Sequence, residues 1–164
     1  RSGESPVLLM SPQGEKFSHD LASRLSCANQ ISIICGHYEG FDERIRDLAT
    51  MEISIGDYVL TGGEVAAMVV IDAVARLVPG VVGKSLSVVC ESFADGLLEG
   101  PQYTKPAEFR GKVVPEIVRS GDHKAVAVWR RQQAILRTLK RRPDLLEKAL
   151  LSEEDRQFLQ SIDN

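Results

Sequence analysis

Three short apolar runs, each ended by glycine or proline and each followed by a helix-like pattern, constrain this chain most. Residues 7–10 (Val-Leu-Leu-Met) run into Ser11-Pro12-Gln13-Gly14, where Pro and Gly predict a sharp stop. Residues 31–35 (Ile-Ser-Ile-Ile-Cys) run into Gly36-His37-Tyr38-Glu39-Gly40. Residues 51–55 (Met-Glu-Ile-Ser-Ile) run into a loop from Gly56 to Gly63. Apolar runs of this length suit strands covered on both faces. Between them, Phe17, Leu21 and Leu25 recur every fourth residue and predict an amphipathic helix over 15–28. Asp42 opens a short polar helix to about residue 49. Residues 64–78 predict a buried helix stopped by Pro79-Gly80. Strands alternating with helices argue for an α/β layer built on a parallel sheet.

In open parallel sheets, ligands sit beyond the carboxyl ends of the strands. The three loops occupy those ends, so they can converge on one site. The third loop runs Ile55-Gly56-Asp57-Tyr58-Val59-Leu60-Thr61-Gly62-Gly63, with Thr61 as the expected N-cap of the next helix. The glycine fingerprint of dinucleotide sites is absent. There is no Walker motif either, because Glu64 and Val65 follow Gly62-Gly63. An acid at a helix start repels phosphate but tolerates a cationic ligand. With Glu39, Asp57, Tyr38 and Tyr58 nearby, the pattern suits a cationic ligand with an adenine-like ring. His19, His37 and His123 are scattered and assemble no triad or metal cluster; loop histidines such as His37 are usually incidental. The three cysteines form no C-x-x-C pair and suggest a reducing cytoplasm.

The second half differs in charge. Residues 110–148 hold eleven Lys/Arg against four acids, a net +7, so the remainder carries −10 to reach the overall −3. An acidic body joined to a basic part fits an arm for a polyanion. Residues 85–100 read as a linker or lid bearing the carboxylates Glu91 and Asp95. Pro101, Pro106 and Pro115 predict few helical turns before residue 118. A long helix is predicted over 123–141, with Arg130, Arg131, Arg137 and Lys140 opposite an apolar stripe. Two short helices follow, and Ser152-Glu153-Glu154-Asp155 has the pattern of a capping box with Asp in the acidic position. No apolar run is long enough to span a bilayer. The chain starts at Arg1 and is already apolar by residue 7, so preceding strands are expected to be missing.

Several stretches together resemble one family. They include Met10-Ser11-Pro12-Gln13-Gly14, Gly36-His37-Tyr38-Glu39-Gly40-Phe41-Asp42-Glu43-Arg44 and residues 54–64 (Ser-Ile-Gly-Asp-Tyr-Val-Leu-Thr-Gly-Gly-Glu). Asp72-Ala73-Val74-Ala75-Arg76, Ser92-Phe93-Ala94-Asp95-Gly96-Leu97-Leu98, Pro101-Gln102-Tyr103-Thr104-Lys105-Pro106 and Ser120-Gly121-Asp122-His123 continue the match, and Arg141-Arg142-Pro143-Asp144 closes it. In order and spacing they resemble the bacterial tRNA (guanine-N1)-methyltransferases of the SPOUT class. The resemblance implies methyl transfer from S-adenosylmethionine to N1 of the guanosine 3′ to the anticodon, in a cytoplasmic homodimer with no membrane association. It implies a SPOUT-type parallel sheet with a C-terminal trefoil knot, and a small helical C-terminal domain that grips tRNA. The expected division is 1–84 for the cofactor domain, 85–100 for the linker and 101–164 for the tRNA domain.

Carried over by residue, the resemblance assigns cofactor binding to Met10, Ser11, Pro12, Gly36, Tyr38, Glu39, Gly40, Ile55, Gly56, Asp57, Tyr58, Val59, Leu60, Gly62 and Gly63. Arg76 would offset charge on guanine O6. Glu91 stands where the family usually has an Asp as general base, with Asp95 as a weaker second. Arg130, Arg131, Lys140 and Arg141 would hold RNA. Magnesium comes with the resemblance, although the sequence shows no ligand set for it. The alternative is a non-catalytic module that binds S-adenosylmethionine or RNA, suggested by the Glu at the base position and the short N-terminus.

Overall fold

The computed structural model describes residues 5–37, 40–82 and 92–162. The chain forms two compact units, Arg1–Val88 and Val89–Asn164.

The first unit is α/β. Strands β1 (Val7–Lys16), β2 (Ser32–Ile34) and β3 (Met51–Ser54) form a parallel sheet in the order β2-β1-β3. Leu8 pairs with Ile33 on one side and Met51 on the other, so β1 is the central strand and Leu8 and Leu9 are fully buried. Such a register requires crossovers, which α1 (His19–Ser26) and a 3₁₀ helix (Glu43–Leu48) supply. Helix α2 (Glu64–Ala75) follows β3. Leu8, Met10, Leu21, Leu25, Ile53, Val70 and Val74 make one core, in which each such side chain contributes about 1.5–3 kcal/mol.

Two expectations change here. β1 does not stop at Met10. Its pairing with β3 shifts between Met10 and Glu15 and then resumes, with Lys16 opposite Ser54. Proline is tolerated at such an irregularity because no ladder N–H is needed there. Gly14 makes the crossing possible, since a Cβ there would lie 2.4 Å from backbone atoms of Glu52 and Ile53. The longer strand delays α1 to His19, capped by the Ser18 hydroxyl, which accepts from Leu21 N–H at 3.3 Å. Phe17, expected on the helix, instead donates its N–H to Ser54 O and packs on the core from the strand end. The second change is α2. It is apolar all round, but only one face is covered. Val65, Met68, Val69 and Ile71 are exposed, with Met68 at 67%.

The second unit is built on α4 (His123–Arg141), preceded by the short α3 (Glu116–Arg119) and followed by α5 (Pro143–Leu146) and α6 (Glu153–Ile162). Asp122 caps α4 by accepting from Lys124 and Ala125 N–H, both at 3.0 Å. Ile135 is fully buried against Leu97, with Phe158 and Leu159 packed beside it. Residues 92–100, within the stretch expected as a linker, pack into this unit. Leu97 is buried, and Leu98 N–H donates to the buried Thr138 hydroxyl at 2.8 Å, which in turn donates to Ala134 O. The expected capping box is formed: Ser152 N–H donates to Asp155 Oδ2 at 3.0 Å, and Asp155 N–H to Ser152 Oγ at 3.2 Å. The Pro-rich stretch contains an element that the sequence pattern left unassigned, a hairpin of β4 (Glu108–Phe109) and β5 (Lys112–Val113).

Candidate functional site

The irregular stretch 11–14 within β1 and the Gly-bearing loops after β2 and β3 meet around one cavity. The two loops are joined through their backbones. Gly63 N–H donates to Gly36 O at 2.9 Å, and His37 and Gly62 form an isolated antiparallel bridge. The contact is close enough that a Cβ on Gly63 would sit 2.9 Å from Cys35 Cα. This explains why Thr61 is not the helix cap. Gly63 caps α2 with no side-chain bond, because the position must stay bare to pass Cys35; Thr61 turns to the cavity instead.

The cavity so enclosed is about 450 Å³. Met10, Ser11 and Pro12 line it from β1, and Gly36 and Gly40 from the loop after β2. Ile55, Gly56, Tyr58, Val59, Leu60, Gly62 and Gly63 line it from the loop after β3. Asp57 is not among them; it is exposed and faces Lys16 at 3.5 Å. Tyr38, Glu39 and Glu91 lie outside the described residues. Residues that the sequence reading did not assign to the cofactor also line the cavity: Gln13, Phe41, Glu43, Arg46, Ile53, Ser54, Thr61 and Ala66. His37, read as incidental, is a lining residue too and lies 2.5 Å from Glu64 Oε1 through its Nε2.

Loop conformation is set locally. The Ser54 hydroxyl bonds both the O and the N–H of Gly56, turning the chain as β3 ends. Tyr58 folds back, its hydroxyl donating to Ile55 O at 3.3 Å, and its ring covers Gly56. The Phe41 ring covers Gly36 in the same way. Asp42 caps the 3₁₀ helix, and its bonds to Arg44 hold its carboxyl below the ordinary range.

On one wall Arg46 pairs with Glu52 and Glu43, which raise its already high pKa. The Arg46 bond keeps Glu52 ionised against partial burial. This pairing neutralises Arg46, the cavity's lining arginine, and leaves it no free charge for an anion. Burial, and then the Glu64 charge, push the Cys35 thiol up, so it stays protonated and is a poor nucleophile. Arg76 closes α2 as its C-cap, its N–H donating to Asp72 O at 3.2 Å. Among the described residues, no group of three His, Cys, Asp or Glu side chains could hold a metal ion.

In the second unit, Arg130, Lys140 and Arg141 are exposed on α4. Arg131, expected with them on the RNA face, has its guanidinium engaged within its own unit. Its guanidinium bonds Asp155 through Nε and Nη2, Leu150 O through Nη2 at 2.9 Å, and Asp95 through Nη1. Asp95 is therefore held within this unit as well. The helix period correctly placed Arg131 on α4. It could not show that Asp155, twenty-four residues later, packs against it.

A family model described as tRNA (Guanine-1)-methyltransferase TrmD matches residues 1–148. Similar curated proteins carry the name tRNA (guanine-N(1)-)-methyltransferase. That of Syntrophotalea carbinolica is 57% identical over 162 residues, 99% of this chain and 66% of the relative. That of Symbiobacterium thermophilum is 60% identical over 155 residues, 94% and 63% respectively. The Staphylococcus aureus protein is 56% identical over 158 residues, 96% and 64%. The chain thus spans just under two thirds of these relatives' length.

Proposed function

The chain belongs to the tRNA (guanine-1)-methyltransferase family, and on that premise we propose that it serves methyl transfer from S-adenosylmethionine to N1 of the guanosine 3′ to a tRNA anticodon. The observation that carries this is the cavity held open by the Gly36–Gly63 and His37–Gly62 backbone contacts. Its size falls within the range of small-molecule sites, roughly 300–1,000 Å³. Its composition suits the donor. Bare glycine backbone allows close approach, Phe41 and Tyr58 supply aromatic surface, and the one lining arginine, Arg46, is already paired with Glu43 and Glu52, which leaves it unsuited to a phosphate. Bound S-adenosylmethionine supplies an electrophilic methyl group. We assign its contacts to the lining residues named above, with Tyr38 and Glu39 added from the family pattern and Asp57 left at the rim.

The chain's own residues then do three things. The cavity walls position the reacting groups, which lowers the barrier without new chemistry. Glu91 removes the guanine N1 proton, a contribution of about 10²–10⁴-fold for a general base. Arg76 offsets the charge that develops on O6. The target base must leave its stack to reach such a pocket. Arg130, Lys140 and Arg141 hold phosphates, which makes binding salt-dependent. Magnesium has no ligand group among the described residues, so no step is assigned to it. A trefoil knot in the first unit is carried over from the family. The bare apolar face of α2 supports a homodimer, in which a second copy covers Val65, Met68, Val69 and Ile71. Among the described residues, no helix is long and apolar enough to cross a membrane. The cytoplasm, where tRNA is found, is the proposed compartment.

Single-turnover methylation of unmodified tRNA tests this. The unsubstituted chain should incorporate methyl groups, and Glu91→Gln should lose about 10²–10⁴-fold in rate. S-adenosylmethionine binding without methyl incorporation would favour the non-catalytic module.

A further inference from the structure

The β4–β5 hairpin is unlike the rest of the second unit. Both of its strands are exposed along their length, and Phe109 is 61% exposed. A two-stranded hairpin that buries nothing contributes no core to its unit. Phe109 and Lys112 are directly paired, so their side chains leave the same face. The turn between them is Arg110-Gly111, both with positive φ, +51° and +74°. Turns of that kind favour Asn-Gly or Gly-Gly. Arginine there is conformationally unfavourable, and such an outlier points to a use for the side chain. Its guanidinium carbon lies 5.2 Å from the centroid of the Phe109 ring. The tip therefore presents an exposed aromatic ring with the Arg110 guanidinium over one face, and Lys112 leaves the same side of the hairpin. Lys105 lies on the same exposed segment, against a single acid, Glu108.

An exposed ring with flanking positive charge is how proteins hold unpaired bases: the ring stacks on the base and the cations meet the phosphates. We propose that the β4–β5 tip is a stacking site for an unpaired nucleotide of the tRNA loop, with Phe109 against the base and Arg110 and Lys112 on the flanking backbone. The inference rests on the tRNA reading above and extends it to a second contact, distinct from the basic face of α4. The segment is tied to α4 by Tyr103, whose ring lies 6.3 Å from that of Trp129.

Fluorescence anisotropy with an unmodified anticodon stem–loop tests it, with a fully paired duplex of equal length for comparison. Phe109→Ala should weaken stem–loop binding about 5- to 100-fold. Duplex binding and S-adenosylmethionine binding should not change. Phe109→Trp should restore affinity and Phe109→Leu should not, since stacking needs an aromatic face. Arg110→Asn suits the turn better, so it should melt no lower than the unsubstituted chain, yet its salt slope should fall by about one. If Phe109→Ala binds the stem–loop as the unsubstituted chain does, or Phe109→Leu restores it, the stacking site is wrong while the tRNA reading stands. Loss of self-association in Phe109→Ala would overturn the site too and assign the tip to a protein contact. Absence of any tRNA binding by the unsubstituted chain would overturn the tRNA reading, and this inference with it.

Discussion

Replacing Arg131 by Met separates an internal role from RNA binding. Methionine keeps much of the apolar stem but removes the guanidinium. The lost bonds are those to Asp155, Leu150 O and Asp95. Asp155, 6% exposed, would keep only its capping bonds with Ser152. Removing one partner of a buried ion pair costs about 3–5 kcal/mol. Arg131 is one-third exposed, so the lower figure of about 3 kcal/mol applies. For a unit of this size that corresponds to a fall of about 15 °C in melting temperature. Thermal unfolding followed by circular dichroism measures it, and the tRNA salt slope is recorded on the folded variant. The slope should stay at the unsubstituted value, whereas Arg130→Ala should lower it by about one. The pH dependence adds a second check. Burial pushes the Asp155 carboxyl up, but Arg131 and Ser152 more than reverse this and hold it below its ordinary range. A carboxyl depressed on folding stabilises the fold above its unfolded pKa of about 4 and loses that contribution as pH falls through the folded value. The stability gap between the unsubstituted chain and Arg131→Met should therefore be full above about pH 4 and narrow below it. A variant that melts within a few degrees of the unsubstituted chain yet loses salt slope would refute the internal role.

Gly63→Ala should weaken S-adenosylmethionine binding about tenfold in calorimetry, because the added Cβ forces the two loops apart; unchanged affinity would remove the backbone crossing from the site. Met68→Lys should shift sedimentation towards the monomer if α2 is the dimer face, since a charge would be buried there. Asp95→Asn should lower the melting temperature through its bond to Arg131 and leave single-turnover methylation by the folded fraction nearly intact, whereas Glu91→Gln should abolish most of it. A dead Asp95→Asn beside an active Glu91→Gln would reverse the base assignment.

Local chemistry was legible where the signal is local. The long helix is predicted over 123–141 and observed as His123–Arg141, because an apolar stripe, an Asp cap and a following proline all lie within its own span. The capping box at Ser152 and Asp155 is legible for the same reason. The Gly-bearing loops after β2 and β3 point to a ligand cavity because strand ends in parallel sheets are where such cavities form. The hairpin escaped notice because its turn carries Arg where Asn or Gly is usual, and its strands are only two residues long.

Contacts between distant residues were not legible, and they decided the rest. Thr61 has the right chemistry for a cap, but Gly63 holds the position because its neighbour in space is Cys35. Ser11-Pro12-Gln13-Gly14 has the composition of a stop, yet β3 re-forms the ladder beyond it. Arg131 has the charge of a phosphate ligand, and Asp155 and Asp95 take it inward. By itself the sequence determined that a parallel α/β unit with Gly loops is joined to a basic helical part, because period, caps and charge act along the chain. Only the tertiary structure decided which glycines meet, which cations remain exposed and which face of α2 stays bare. Those outcomes depend on packing between residues far apart in the chain, which no local pattern encodes.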